Sequence, residues 1–181
     1  MKAKKTSIEG CYILQPNLYE DNRGVFFESY NQTIFENIIG RRICFVQDNI
    51  SISHKGVLRG LHFQKGIYAQ AKLIQVLKGK VLDVVVDIRK GSPTFGEHFK
   101  MNISAKNRTS IFMPKGIAHG FLALTDEVIF NYKCDSLYNP KAEGGILYND
   151  PELCIDWEVR EEELILSEKD LKLPLLKDLN L

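Results

Sequence analysis

The sequence predicts a mainly β fold, a sandwich or barrel with a few short helices, on three observations. Short runs rich in β-branched and aromatic residues recur along the chain. Apolar and polar residues alternate in Lys72-Leu-Ile-Gln-Val-Leu and in Val81-Leu-Asp-Val-Val-Val-Asp, which sends them to opposite faces of a strand. Glycine and proline signals at Gly56, Gly79, Gly91-Ser-Pro93 and Pro114-Lys-Gly116 separate the runs.

In chain order the predicted strands cover residues 8–15, 25–30, 43–48, 57–64, 72–77, 81–88, 99–103, 109–113, 119–124 and 128–134. About ten strands at this spacing suit a closed or double-layered sheet. A helix is expected over residues 31–39, with Asn31 as N-cap and Gly40 just past its end. Ser167-Glu-Lys-Asp170 starts a short turn or helix within a C-terminal helical segment of about residues 160–181.

A chain of 181 residues suits one domain, here 1–181, and 44% hydrophobic residues supply a core. The net charge of +1 gives no overall basic field for nucleic acid, so a bound anion would be caught by local arginines and lysines. The basic opening has no apolar run behind it, and Asp83 and Asp87 interrupt the most apolar stretch. Neither a secretory signal nor a membrane span is expected. The four cysteines, Cys11, Cys44, Cys134 and Cys154, are scattered and read as reduced core thiols. A cytoplasmic location follows as an expectation.

Two histidines sit in matching contexts, Gly56-Val-Leu-Arg-Gly-Leu-His62 and Pro114-Lys-Gly-Ile-Ala-His119. Both contexts resemble the two signature motifs of the cupin superfamily, which implies a cupin-type β-barrel or jelly roll with each histidine at its mouth. A metal-binding cupin would add a second histidine and a glutamate. Here those places hold Gln64 and Lys72, and an ammonium group beside a metal ion is repulsive. No metal and no organic cofactor is expected. What remains is a pocket of His, Lys and Arg, suited to a general base with anion stabilisation.

Eight segments then carry a closer resemblance over essentially the whole chain. They are Asp21-Asn-Arg-Gly-Val-Phe-Phe-Glu28, Phe45-Val-Gln-Asp-Asn49, Val57-Leu-Arg-Gly-Leu-His-Phe-Gln64, Ala69-Gln-Ala-Lys72, Val84-Val-Val-Asp-Ile-Arg89, Pro114-Lys-Gly-Ile-Ala-His-Gly-Phe121, Asn131-Tyr-Lys133 and Leu166-Ser-Glu-Lys-Asp170. In this order and spacing the chain resembles the dTDP-4-dehydrorhamnose 3,5-epimerases of deoxysugar biosynthesis. It departs from them at Ala71, in place of a usual glycine, and at Tyr148, in place of a usual tryptophan.

Inverting a carbon beside a ketone needs a base, an acid on the opposite face and a partner for the enolate oxygen. An imidazole, with an ordinary pKa of ~6.5, suits the base, which points to His62. The resemblance implies Asp170 as its partner, Tyr132 as the acid and Lys72 as the enolate stabiliser. It further implies diphosphate contacts from Arg23 and Arg59, whose forked donors match phosphate oxygens. Gln47, Asn49, Phe26, Glu28, His119, Glu143 and Lys169 match other substrate contacts, and Tyr138 matches an aromatic that stacks on the base. N-terminal strands exchanged across a homodimer would bring Arg23 and Glu28 to the neighbouring subunit's site. The implied substrate is dTDP-4-keto-6-deoxyglucose, on the route to dTDP-rhamnose and cell-surface polysaccharide.

Taken singly, each residue has a plainer reading. His62 between Leu61 and Phe63 fits a satisfied core group, Tyr132 a packing residue, Asp170 a helix start, Lys72 an exposed strand position and Arg23 a turn residue. His54 and His98 read as surface residues. Three rival functions also stand at this level: a single-site 3- or 5-epimerase, a non-catalytic nucleotide-sugar-binding cupin, and a metal-dependent cupin enzyme.

Overall fold

A computed structural model describes residues 1–180. Thirteen strands run β1 Lys2–Lys5, β2 Tyr12–Gln15, β3 Leu18–Asp21, β4 Gly24–Phe27, β5 Gln47–Ser53, β6 Leu58–Gln64 and β7 Lys72–Lys78. They continue as β8 Lys80–Asp87, β9 His98–Ser104, β10 Ser110–Met113, β11 Ile117–Ala123, β12 Val128–Cys134 and β13 Glu143–Gly145. One sheet has the order β1-β2-β10-β7-β12-β5 and the other β13-β6-β11-β8-β9, while β3 and β4 form a separate hairpin. The two larger sheets make the cupin-type jelly roll expected from the sequence.

Alternation decides which side chains fill the space between the sheets. Ile74, Val76, Val81, Val85, Phe121, Val128 and Phe130 form the inner core, with the Phe121 and Phe130 rings stacked at 4.2 Å. Burying a phenylalanine side chain contributes about 1.5–3 kcal/mol, so these rings bind the sheets together. A second cluster lies behind β6, β8 and β11, where Ile146, Tyr148, Leu153, Trp157 and Leu176 of the C-terminal region cover Leu82, Val84 and Val86.

The amphipathic reading of β8 is therefore corrected. Every residue from Val81 to Asp87 is buried, because both faces of this strand are covered, and Asp83 shares the inward face with Val81 and Val85. The opposite surprise occurs in β5. Its polar residues share register with the inward positions of β12 (Gln47↔Cys134, Asn49↔Tyr132, Ser51↔Phe130), while Ile50 and Ile52 lie exposed on the other face.

Helix α1, Gln32–Ile39, forms as predicted. The Asn31 side chain accepts the Ile34 N–H at 3.1 Å, and Gly40 ends the helix at φ 75°. Its buried Phe35 packs with Leu14, Leu73 and Phe112 against the outer face of the first sheet. The C-terminal segment expected to be helical holds only short 3-10 turns, at Glu161–Glu163, Asp170–Lys172 and Leu176–Asp178, and its last position, 181, lies outside the described residues. Two cysteines depart from expectation: Cys11 and Cys134 are buried thiols, but Cys44 and Cys154 are exposed. Among the described residues no helix is long and apolar enough to cross a membrane.

Candidate active site

The site is set by a close crossing of β6 and β11. Between them the register slips, so that His119 faces His62 and Phe121 faces Arg59. The strands approach so closely that a Cβ on Gly60 would lie 2.5 Å from the Gly120 Cα and 2.9 Å from the His119 carbonyl oxygen. Gly60 also has φ 134°, outside the range of ordinary L residues. These glycines bring the two histidines opposite one another at one end of the barrel.

His62 is held by a residue far along the chain. Ile165 pairs with Val57, its N–H donates to the Gly56 carbonyl at 2.8 Å, and its carbonyl accepts the Leu58 N–H at 3.0 Å. The chain then turns so that Asp170, its N–H donating to Ser167 Oγ at 3.1 Å, sets Oδ1 2.7 Å from His62 Nε2. The Asp170 side chain is 5% exposed and that of His62 is 30% exposed. Burial pushes the Asp170 carboxyl up, but the His62 hydrogen bond and charge, the Gly60 N–H and Ser167 together hold it below its ordinary value. A carboxylate oxygen only accepts, so Nε2 carries the hydrogen and the neutral ring has its lone pair on Nδ1.

Lys72 and Tyr132 stand on the other sheet, with Lys72 Nζ 5.7 Å from the Tyr132 ring centroid. Burial lowers the Lys72 pKa, although Cys134, Glu143 and Asp83 act to raise it. Burial raises the Tyr132 pKa, with Cys134 adding to the rise and Arg59 opposing it. Both effects favour the uncharged forms, as desolvation requires. His119 Nε2 lies 2.8 Å from Asp83 Oδ2 in a buried pair, and its ring stacks on Phe130 at 5.8 Å. Asp83 was not anticipated from the sequence. A carboxylate amid the valines of the most apolar run was the available signal.

Two adjoining clefts share His62, Lys72 and Tyr132. The first, about 490 Å³, is also lined by Arg59, His119, Lys169 and Asp170. The second, about 310 Å³, is lined by Gln47, Asn49, Tyr138 and Glu143. Arg59 Nε donates to Ser53 Oγ at 3.1 Å. Tyr138 donates its hydroxyl to Glu143 at 2.7 Å, and Lys169 bridges the same carboxylate at 2.6 Å. Hydrogen bonding to Lys169 and Tyr138 outweighs burial and lowers the Glu143 pKa.

Arg23, Phe26 and Glu28 do not join either cleft within the chain. Arg23 and Phe26 lie on the β3–β4 hairpin, and Glu28 follows it. Phe26 is 71% exposed, Arg23 pairs with Asp21 at 2.6 Å and Glu28 accepts from Asn31 at 3.2 Å. Among the described residues no three His, Cys, Asp or Glu side chains gather as a metal-ligand group.

The dTDP-4-dehydrorhamnose 3,5-epimerase family model matches residues 5–178. The chain is 51% identical over 172 residues to the enzyme of that name from Salmonella typhimurium, covering 95% of this chain and 93% of the relative. The crystal structure of the Elizabethkingia anophelis enzyme superposes with a TM-score of 0.97 at 50% identity, over 100% of this chain and 99% of the other. A dTDP-6-deoxy-D-glucose-3,5-epimerase from Legionella pneumophila, in complex with dTDP-4-keto-L-rhamnose, gives 0.94 at 45% identity, over 99% and 94%.

Proposed function

The chain belongs to the dTDP-4-dehydrorhamnose 3,5-epimerase family and is an isomerase, and we propose that it inverts carbons 3 and 5 of dTDP-4-keto-6-deoxyglucose to give dTDP-4-keto-rhamnose. The observation that supports this reading is that His62 and Tyr132 line one cleft from different sheets. His62 comes from one sheet and Tyr132 from the other, with Lys72 beside the phenol.

His62, its ring fixed by Asp170, takes the proton from the carbon beside the ketone. The C–H electron pair moves into the ring as an enolate, and its negative charge rests on the ketone oxygen. Lys72 stabilises that oxygen as an ammonium group. Tyr132 returns a proton to the carbon from the opposite face, and the ketone re-forms with inverted configuration. His119 and Arg59 line the same cleft. Arg59 supplies donors for the diphosphate, while Gln47, Asn49, Tyr138, Glu143 and Lys169 form the wall for the nucleoside and linked groups. No step of this sequence calls for a metal or organic cofactor.

The working unit in this reading is a cytoplasmic homodimer of single-domain chains, residues 1–181, with its hairpins exchanged. Supporting it, Tyr19, Val25 and Phe26 on the hairpin and Ile50 and Ile52 on β5 leave apolar surface exposed. The partner subunit would then receive Arg23, Phe26 and Glu28.

Incubation with dTDP-4-keto-6-deoxyglucose in heavy water, followed by NMR with and without a chelator, tests the reaction. Deuterium entering at both carbons, chelator or not, is the expected result. Entry at one carbon makes the protein a single-site epimerase. No entry with retained nucleotide binding makes it a binding protein.

A further inference from the structure

Three glutamine side chains converge on the short stretch of backbone that presents Tyr138. Gln70 Nε2 donates to the Ser136 carbonyl at 2.8 Å. Gln47 Oε1 accepts the Tyr138 N–H at 2.9 Å, and Gln64 Oε1 accepts the Asn139 N–H at 3.0 Å. They come from three separate places, β5, the end of β6 and the loop before β7. Asp135, at the start of the same stretch, accepts the Ala71 N–H at 2.7 Å. A backbone partner also fixes which end of each amide is oxygen, so the assignments are not arbitrary.

Gln64 and Gln70 are buried, at 6% and 8% exposure. A buried amide needs partners, and among the described residues the side chains of Gln64 and Gln70 find theirs in the loop backbone. Tyr138 itself is half-exposed, and its hydroxyl donates to Glu143. Loop segments hold a ligand-facing ring in place only when their backbone is fixed from outside.

We propose that Gln64 and Gln70 are positioning residues that hold the 135–139 loop in its ligand-ready form, so that the Tyr138 ring and the Glu143–Lys169 pair stand ready for the nucleotide. Gln64 occupies the place of a metal-binding cupin's second histidine, and in this chain that place serves the loop. The inference rests on the reading that Tyr138 faces the nucleotide.

The test measures dTDP affinity by calorimetry and epimerase kinetics on the full-length protein for Gln64→Met and Gln70→Met, each also made in a Tyr138→Ala background. Methionine keeps the volume and loses the amide. Each single variant is expected to weaken dTDP binding and raise KM roughly 2- to 10-fold, the range for one hydrogen bond, with kcat within about twofold. In the Tyr138→Ala background neither change should weaken binding further. Additive loss in that background overturns the proposal, because the glutamines would then touch the ligand themselves. Unchanged affinity in both single variants, or a fall in kcat at constant KM, also overturns it. Unchanged dTDP affinity in Tyr138→Ala alone instead removes the nucleotide reading of Tyr138. Should one glutamine variant not fold, the other carries the same test.

Discussion

The two histidine–aspartate pairs face each other across β6 and β11, yet they are assembled in opposite ways. Asp83 reaches His119 from β8, the neighbouring strand of the same sheet. Asp170 reaches His62 from the C-terminal segment, after the whole barrel has been built. The first pair is largely buried, with His119 8% and Asp83 0% exposed although His119 lines the cleft, whereas the His62 side chain stays 30% exposed. A proton-transfer group has to be both oriented and reachable. The docked tail orients His62 from one side and leaves the other free. The more buried pair carries a penalty that the other avoids, since among the described residues Asp83 Oδ1 is buried without a hydrogen-bond partner. Such an atom costs about 1–3 kcal/mol, so the pair needs the rigid surroundings of two adjacent strands.

The two pairs should therefore separate on mutation. His62→Ala has the largest effect expected on activity, a loss of about 10²–10⁴ in deuterium entry from solvent. A comparable loss of exchange in His119→Ala would erase the distinction between the pairs. Lys72→Ala follows, with a loss on the order of 10²–10³ in kcat and dTDP binding retained. Asp83→Asn should act chiefly on stability, shifting the urea unfolding free energy by about 1–3 kcal/mol while most exchange remains. For the exchanged hairpins, mixing His62→Ala with Arg23→Ala chains should restore activity that neither homodimer has in full. One site of the mixed dimer then has both residues intact. A mixture no more active than the sum of its parts would place Arg23 outside the neighbouring site.

The same contrast explains what was legible in the sequence. Strands β6 to β12 were anticipated because their apolar residues face a core that local alternation can report. Strands β1 and β3 were not, because Lys2–Lys5 and Leu18–Asp21 lie exposed along their whole length and carry no burial pattern. The sequence pattern puts β5 too early, at 43–48, since its outward face bears the isoleucines and its inward face the amides. His62, His119 and Lys72 were found from motif context, and Asp170 only through resemblance, because no local rule links it to a histidine that distant in the chain. The sequence does not reveal the role of Asp83, because a carboxylate between Leu82 and Val84 fits an outward-facing strand position. Only the closure of both faces of β8 shows that it points inward.

Burial also shifts the titration of the groups on the other sheet, and this gives the smallest expected effect. Desolvation disfavours charge, so it lowers the ammonium pKa of Lys72 and raises the phenol pKa of Tyr132. Lys72 therefore loses its proton at a lower pH than an ordinary lysine, and kcat should begin to fall below the ordinary lysine value of 10.5. Lys72→Arg, slower but charged throughout, should lose this alkaline limb. Stability moves the other way. A lysine whose folded pKa lies below its unfolded one burdens the fold while charged, and that burden lifts as pH climbs through the folded pKa. The stability of the wild type relative to Lys72→Met should thus rise slightly over the pH range in which kcat falls. If both quantities fall together, the alkaline limb reports loss of structure and Lys72 is not the group that sets it.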